Sequence, residues 1–168
     1  MQPLAAMNAD PRVMEFFPAP LAPYHSAAML LRIEEAFERD GYGLWVVEVP
    51  GETAFAGFVG LAPVDLEMPF APAVEVGWRL ARRHWGRGFA IEGATVATRY
   101  AFQELSMPSL VAYTAEGNVR SRRVMERLGM TRQAADDFLH PSLAADDPLA
   151  AHVVYQLERE RWLAPAAE

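Results

Sequence analysis

The segment RRHWGRGFAIEGATVATRYAF, from Arg82 to Phe102, limits the possible folds of this chain more than any other part of the sequence. Two glycines interrupt its run of arginines, and an apolar pattern with a helical period follows them directly. Positions 90, 94, 97, 101 and 105 lie along one helix face and carry alanine or leucine. A face of small side chains lets a helix approach a sheet closely, and Gly93 favours the same contact. The segment therefore predicts a tight turn and then a helix of roughly five turns, ending near Leu105 and packed on a sheet.

The rest of the chain predicts the strands and helices around this unit. Helical patterns cover 26–41 and 118–129, and strand patterns cover 43–49, 53–64, 109–115, 151–158 and the end of 69–81. This order of elements predicts an α/β (α+β) fold, in which a mixed sheet is flanked by helices. Because neither an internal repeat nor a flexible linker divides the sequence, residues 1–168 are predicted to form a single domain.

Composition excludes several kinds of chemistry. The 168 residues include no cysteine, which excludes disulfides, thiolate zinc sites and any transfer of a group through a cysteine. No apolar run approaches the ~20 residues of a membrane span, so we expect a soluble, cytoplasmic protein without a membrane partner.

The charges are distributed unevenly along the chain. Residues 79–132 hold ten arginines and four acidic residues, whereas the remainder holds five arginines and eighteen acidic residues. Unless the division arises by chance, it indicates an anionic ligand near the cationic middle and a cationic substrate near the acidic remainder.

The glycine–arginine turn has the features of an anion-binding site. A helix N-terminus presents unpaired N–H groups and a partial positive charge, and Gly86 and Gly88 would let phosphate oxygens reach those groups. Arg82, Arg83 and Arg87 can add charge-assisted hydrogen bonds. A Walker loop is excluded because the chain has no lysine, and a dinucleotide fingerprint would need glycine at position 91, which carries isoleucine. A tight turn with solvated arginines is the alternative.

The segment RHWGRGFA, residues 83–90, resembles the pyrophosphate-binding R/Q-x-x-G-x-G/A motif of the GNAT superfamily of acyl-coenzyme A N-acyltransferases. The surrounding VEVGWRLARRHWGRGFAIEGATVATRYAF and the later NVRSRRVMERLGM resemble its Rim-type branch, which includes ribosomal-protein N-terminal acetyltransferases. ADPRVMEFFP and HPSLAADDPLAAHVVYQL resemble one subgroup of that branch, so the similarity covers nearly the whole chain. The resemblance implies a mostly antiparallel, twisted sheet. It also implies direct transfer of an acetyl group from acetyl-coenzyme A to a primary amine in a ternary complex, without a metal.

The same resemblance implies which residues bind the cosubstrate. The pyrophosphate cradle would consist of Arg83, Gly86, Arg87, Gly88, Phe89 and Ala90, and the pantetheine arm would pair with the main chain of Trp78, Arg79 and Leu80. Asn118 would contact the arm, and Ser121 would protonate the departing thiolate. An asparagine N-cap and an exposed helix serine explain these last two residues equally well.

Glu75 is the candidate general base. Alternation along AVEVGWRL places Glu75, Gly77 and Arg79 on one strand face, and Val74, Val76, Trp78 and Leu80 on the other. An ammonium group must lose its proton before it attacks a thioester, and a partly buried carboxylate with a raised pKa could accept that proton. A paired or solvated strand glutamate is the alternative. His84 lies in the predicted phosphate turn, too far from the cosubstrate sulfur to serve as the base, and His140 and His152 are expected to be structural or to lie at the rim.

Two features depart from the family pattern. Members usually open with a strand before a full first helix, whereas this sequence begins at MQPLAAMNADP, within the region of that helix, so the first strand is expected to be missing. Met125 aligns with the tyrosine that acts as general acid in many members, and a thioether cannot donate a proton. These departures leave open a catalytically inactive acyl-coenzyme A-binding module.

The sequence does not identify the partners closely. The acceptor could be a protein N-terminus, a polyamine, an amino sugar or a small amino acid, and a homodimer is compatible with the sequence. Nucleic acid is not an expected partner, because the basic segment includes the arginines that the cosubstrate would use.

Overall fold

A computed structural model describes residues 1–64 and 67–164. Its amino-terminal part contains α1 (Gln2–Ala9), α2 (Pro23–Asp40), β1 (Leu44–Val49), β2 (Thr53–Pro63) and β3 (Val74–Leu80). The middle contains a 3-10 turn (Arg82–His84), α3 (Phe89–Arg99) with a π-helical extension (Tyr100–Glu104), β4 (Ser109–Ala115) and α4 (Val119–Arg127). The carboxyl-terminal part contains β5 (Thr131–Arg132), a second 3-10 turn (Ala134–Asp136), β6 (Phe138–Leu139), β7 (Ala151–Glu158) and α5 (Arg159–Leu163). No helix in the described ranges is both long and apolar enough to cross a bilayer.

The predicted elements are confirmed, with boundaries that follow local chemistry. The strands predicted at 109–115 and 151–158 are observed without any shift. The helix predicted at 26–41 begins at Pro23, because proline suits the first helical turn, and it ends before Gly41, whose φ is +75°. The helix region that the family resemblance implied at MQPLAAMNADP is observed as α1. The sequence did not predict β5, β6 or α5, which have two to five residues each and too little periodicity to recognise.

The sheet has the strand order β1-β2-β3-β4-β7-β5, and β6 also pairs with β7. Every pair is antiparallel except β3 with β4, so the mixed, mostly antiparallel sheet flanked by helices is confirmed. Strand β1 forms one edge, and no strand precedes α1 among the residues that the structure describes.

The parallel neighbours β3 and β4 are joined in register at one position, Glu75 with Val111. Among the described residues, no β3 residue between Glu75 and Leu80 pairs with a β4 residue between Val111 and Ala115. The carboxyl ends of the two strands therefore diverge and leave a gap in the sheet. The turn before α3 follows β3 and the start of α4 follows β4, so the gap lies between two helix N-termini.

Helix α3 packs closely on one face of the sheet, as its small side chains predicted. Ala94, Ala97 and Ala101 are at most 3% exposed and belong to the same apolar cluster as Val59 of β2. A Cβ on Gly93 would lie only 3.0 Å from Val59 Cγ2, so a larger residue here would have to displace the Val59 side chain.

The opposite face is covered by α1, α2 and the connector between them. Leu4, Met7 and Val13 from these segments pack with Phe58 of β2. Because Arg79 pairs with Phe58 across the antiparallel ladder, Arg79 and the other residues in its alternation set face this side. The two faces predicted for β3 are confirmed.

Gly57 provides a test of how tightly β2 and β3 are paired. A Cβ at this position would lie 2.2 Å from the Arg79 carbonyl oxygen and 2.7 Å from Leu80 Cα, and φ is +149°. Because both are backbone atoms of the adjacent strand, Gly57→Ala should lower the free energy of unfolding by about 3 kcal/mol or more, measured by urea denaturation. Gly51→Ala is the control, since its φ of +77° imposes strain without any contact within 4 Å. Equal losses in the two variants would contradict the expected steric clash.

Candidate active site

A cavity of about 630 Å³ opens where β3 and β4 diverge. It is bordered by β3, the glycine turn, the first turns of α3 and α4, and the connector that follows α1. Ten of the residues predicted from the sequence line it: Glu75, Trp78, Arg79, Leu80, Gly86, Gly88, Phe89, Ala90, Asn118 and Ser121. The fold therefore gathers residues from β3, α3 and α4 around one space.

The glycine turn presents open backbone to this cavity. Gly86 and Gly88 have φ values of +73° and +88°, and a Cβ on either would have no other atom within 4 Å. Gly88 is the N-cap of α3, and no side chain caps the helix there. The amides of the first helical turn are thus available to an anion, which is the arrangement that the sequence predicted.

The arginines of this turn are occupied elsewhere. The two Nη atoms of Arg87 donate to the carboxylate of Glu52 at 2.6 and 2.7 Å, and Glu52 belongs to the turn between β1 and β2. Arg83 Nε donates to His84 Nε2 at 2.9 Å. Neither Arg83 nor Arg87 lines the cavity. Their predicted contacts with phosphate would require both side chains to change partners and stay predictions.

His84 is buried beneath the same turn. It is 1% exposed, and its Nδ1 lies 3.4 Å from Glu52 Oε1 without forming a hydrogen bond. Burial, followed by the charge of Arg83, lowers the pKa of His84 below its usual value of 6.5. The neutral ring can accept the Arg83 hydrogen bond, so His84 has a structural role in this turn.

Helix α4 begins with the predicted asparagine cap. Asn118 Oδ1 accepts a hydrogen bond from the Ser121 amide at 3.2 Å, and its Nδ2 donates to Thr114 Oγ1 at 2.9 Å. This geometry is an ordinary N-cap, although Asn118 and half-buried Ser121 also border the cavity. One turn further along α4, Met125 is 1% exposed and packs in the main apolar cluster.

The main chain at the end of β3 has one free edge. Beyond Glu75, the side of β3 that faces β4 has no strand partner in the described ranges, so an extended ligand could pair there. The Leu80 carbonyl oxygen is already an acceptor for the Trp85 indole Nε1, at 2.8 Å. Hydrogen-bonded pairs alternate along an antiparallel ladder, so Arg79 directs its N–H and C=O toward Phe58 of β2, whereas Trp78 and Leu80 direct theirs toward the gap. Of the three residues predicted to bind through their main chain, Trp78 is therefore the best placed.

Glu75 lies in the cavity where β3 and β4 separate. Burial raises the pKa of its carboxyl group to about 7, while a hydrogen bond from Tyr113 and the charge of Arg79 act in the opposite direction. A Cβ on Gly77 would lie 3.2 Å from Glu75 Oε1, so the carboxyl group extends over Gly77 on the sheet face. A carboxyl group with this pKa can both accept and release a proton near neutral pH.

Arg79 lies on the same face as Glu75 in a largely apolar setting. Its Nη1 donates to Asn8 Oδ1 at 2.8 Å, and its guanidinium carbon lies 4.2 Å from the centre of the Phe17 ring. Asn8 is fully buried and donates in turn to Ser26 Oγ at 3.0 Å. Burial lowers the pKa of Arg79 to about 10, which leaves the guanidinium charged at neutral pH.

Several residues of this site were missed from the sequence. Asn8 contacts Arg79 across 71 positions, and Tyr113 reaches Glu75 from the neighbouring strand. His140 and His152, which were expected to be structural or at the rim, line the cavity with rings 5.0 Å apart. Alternation along SLVAYTA places Tyr113 on the same face as Val111, but nothing in that pattern shows that β4 lies beside β3.

Comparisons with known proteins agree with this geometry. Residues 1–131 match the family described as the acetyltransferase (GNAT) domain. The FsC-acetyl coenzyme A-N(2)-transacetylase of Aspergillus fumigatus is 35% identical over 129 residues, which cover 73% of this chain and 53% of that protein. The Bacillus subtilis protein YkkB is 38% identical over 92 residues, which cover 54% of this chain and 52% of that protein. The chain thus spans about half the length of these two curated relatives.

Solved structures share the same fold. An acetyltransferase from Agrobacterium tumefaciens is 28% identical with a TM-score of 0.70, over 92% of this chain and 82% of that one. Spermidine N-acetyltransferase from Vibrio cholerae, solved with CoA and spermine, is 17% identical with a TM-score of 0.73, over 97% and 92% of the two chains. Ribosomal-protein-S5-alanine acetyltransferase from Vibrio fischeri is 19% identical with a TM-score of 0.73, over 96% of this chain and 88% of that chain. Motif, fold and matched sequence agree, and the chain belongs to the acetyltransferase (GNAT) family.

Proposed function

We propose that this chain transfers an acetyl group from acetyl-coenzyme A to a primary amine, directly and within a ternary complex. The observation that carries the proposal is the position of Glu75, whose pKa is about 7, in the same cavity as the open glycine turn. An anion site and a proton acceptor on one cavity suit a reaction between a phosphate-bearing donor and an ammonium group. Membership of the acetyltransferase family supports the same reaction.

The residues around the cavity fit acetyl-coenzyme A. The amides from Gly86 to Ala90 would hold the pyrophosphate, because Gly86 and Gly88 leave the backbone open and no side chain caps α3. The unpaired edge of β3 at Trp78, with the Leu80 N–H beyond it, would hold the pantetheine arm. Phe89 and Asn118 would border the bound cosubstrate. When bound, acetyl-coenzyme A supplies an acetyl group activated as a thioester.

Glu75 would act as the base, accepting a proton from the acceptor ammonium directly or through one water molecule. Ser121, which borders the cavity from the first turn of α4, would donate a proton to the leaving group. The cavity would align the amine with the acetyl group, and alignment is itself a large part of such a rate increase. The chain has no cysteine, so no acetyl-cysteine step is available.

Finer assignments rest on the sequence motifs. We propose that residues 1–168 form one N-acetyltransferase domain of the Rim-type branch; positions 65–66 and 165–168 lie outside the described residues. The motif between Arg82 and Phe102 and the segment NVRSRRVMERLGM support this assignment. We also infer a cytoplasmic location, an amine-bearing small molecule or protein N-terminus as acceptor, and compatibility with a homodimer.

The second candidate is an acyl-coenzyme A-binding module without catalytic activity. Buried Met125 favours it, because methionine cannot donate a proton at that position. Native mass spectrometry of the purified protein should show retained acetyl-coenzyme A or coenzyme A. A screen of amines for acetylation then separates the two candidates. Retention of the cosubstrate without transfer to any amine would favour the binding module.

Replacing Met125 tests whether that position takes part in catalysis. We expect Met125→Leu to keep turnover within about tenfold of the wild type, because a buried side chain of similar volume preserves the packing. Steady-state acetylation assays and thermal denaturation measure the two effects. A thousandfold loss of turnover with unchanged stability and cosubstrate affinity would show that Met125 contributes more than packing.

A further inference from the structure

Arg79 is half-buried, with a guanidinium Nε that solvent does not reach, and it forms no ion pair with a carboxylate of the described residues. No acidic side chain of the described residues lies within ion-pair distance of its guanidinium group, although Arg39, Arg87, Arg120 and Arg132 each have such a partner. Its bond to Asn8 uses one of five N–H donors, and Nε is buried with no hydrogen-bond partner at all. A partly buried cation in this state is costly unless an anion or an acceptor completes its contacts.

The position of Arg79 makes a ligand the natural source of that anion. Arg79 lines the cavity and lies on the same strand face as Glu75, with only Gly77 between them on that face. Gly77 has no side chain to separate the two groups, and a Cβ there would already approach Glu75 Oε1 to 3.2 Å. A small molecule could therefore contact both the carboxyl group and the guanidinium group.

The charge of the cavity favours an acceptor with an acid group over a polyamine. Among the described lining residues, Glu75 is the one carboxylate, whereas Arg79, Arg123 and Arg127 supply positive charge, and Arg120 is already paired with Glu15. A second ammonium group would meet cations of like charge. The cationic cavity differs from the sequence expectation that the acidic remainder would draw a cationic substrate, because most acidic residues lie outside this lining.

The walls around Glu75 and Arg79 are apolar and aromatic. Phe17 and Phe58 lie 4.2 and 5.4 Å from the Arg79 guanidinium carbon, and Val13 borders the same space. On the other side Tyr113 contacts Glu75 and lies 6.4 Å from the His152 ring. Such walls suit an apolar body between the two polar ends of a ligand.

We propose that the acceptor is a small amine that also carries a carboxylate, an amino acid or a close analogue. Its carboxylate binds Arg79, and its amino group is held at Glu75. The proposal rests on the proposed acetyl transfer and names the substrate class of that site. Arg79 is then a recognition residue, in addition to its bond with Asn8.

The test compares amino acids with the amines that they yield by loss of the carboxylate. Leucine is paired with 3-methylbutylamine and phenylalanine with 2-phenylethylamine, because each amine keeps the apolar body of its amino acid. The kcat/KM values are calculated on the concentration of free amine, because the amino acids have the lower ammonium pKa. We expect the wild type to show a kcat/KM about 10- to 100-fold higher for the amino acid, as expected for one charge-assisted contact. Equal or lower kcat/KM for the amino acids would overturn the proposal.

Variants of Arg79 separate recognition from a purely structural role. Arg79→Gln should remove the kcat/KM advantage of the amino acids, whereas any effect through the pKa of Glu75 should be shared by the decarboxylated amines. Arg79→Lys should restore part of that advantage. An equal loss for both members of a pair would show a structural role and overturn the proposal. If neither variant folds, the comparison within the wild type decides alone. Acetylation of no amine in the panel, or transfer without a preference for the acid group, overturns the substrate class. The proposed function is overturned only if the wider screen of amines and N-terminal peptides also shows no transfer.

Discussion

Glu75→Gln is expected to lower turnover about 10²- to 10⁴-fold at neutral pH, with little change in affinity for acetyl-coenzyme A. Glutamine keeps nearly the same shape but cannot accept the ammonium proton. The wild type should gain activity as the pH rises through about 7, where burial places the pKa of Glu75. The variant should recover in part at high pH, where free amine is already abundant. Steady-state kinetics across this pH range, together with calorimetry of cosubstrate binding, measure both effects.

The matched control for this substitution is Glu48→Gln. Glu48 is also a strand glutamate, but it is exposed on β1 and does not line the cavity. It should therefore retain wild-type turnover. If Glu75→Gln also retains near-normal turnover on the true acceptor, Glu75 is a structural strand carboxylate, and the proton is accepted by another group or by bulk water.

The stability of the fold tests the environment of Glu75 independently of catalysis. Because folding raises the pKa of this carboxyl group from 4.5 to about 7, the folded chain binds the proton more tightly than the unfolded chain. The resulting stability is fully present below pH 4.5 and is lost as the pH rises through 7. Urea denaturation at about pH 5 and pH 8 should show the wild type losing more stability than Glu75→Gln over this interval. Parallel losses in the two proteins would contradict the raised pKa.

The double variant Gly86→Ala, Gly88→Ala is expected to weaken acetyl-coenzyme A binding by about 100-fold or more. The new methyl groups would occupy the open space beside the turn, where phosphate oxygens would otherwise reach the amides. Loss of two charge-assisted hydrogen bonds accounts for an effect of that size. Calorimetric titration with coenzyme A measures it without dependence on catalysis.

Both glycines have positive φ, so alanine there also strains the backbone, by about 1 kcal/mol at each position. The double variant Gly41→Ala, Gly129→Ala is the control, because φ is +75° and +88° at these positions and a Cβ has no neighbour within 4 Å. Neither residue borders the cavity. The control should lose comparable stability and keep its coenzyme A affinity. Unchanged affinity in a folded Gly86, Gly88 variant would place the phosphate elsewhere.

The turn that follows β3 shows which features of a site can be predicted from local sequence. The open backbone at Gly86 and Gly88 was predicted from the residues alone, because glycine conformation and helix-start amides depend on neighbours within a few positions. The charges of the same turn could not be assigned in this way. Arg87 pairs with Glu52, which is 35 residues away in the chain, and that contact exists because β2 lies beside β3.

The sequence by itself determined those helices and strands in which apolar or small residues recur at a regular spacing. The small face of α3 and the strands at 109–115 and 151–158 follow from spacings repeated within one segment. Tertiary structure alone decided which elements are neighbours. It placed β4 parallel to β3, brought Tyr113 to Glu75 and brought Asn8 to Arg79 across 71 positions. The physical reason is that the periodicity of a segment shows which side of a helix or strand is buried but not what it packs against. The pKa of Glu75 and the contacts of Arg79 depend on the particular groups that tertiary folding brings to that side.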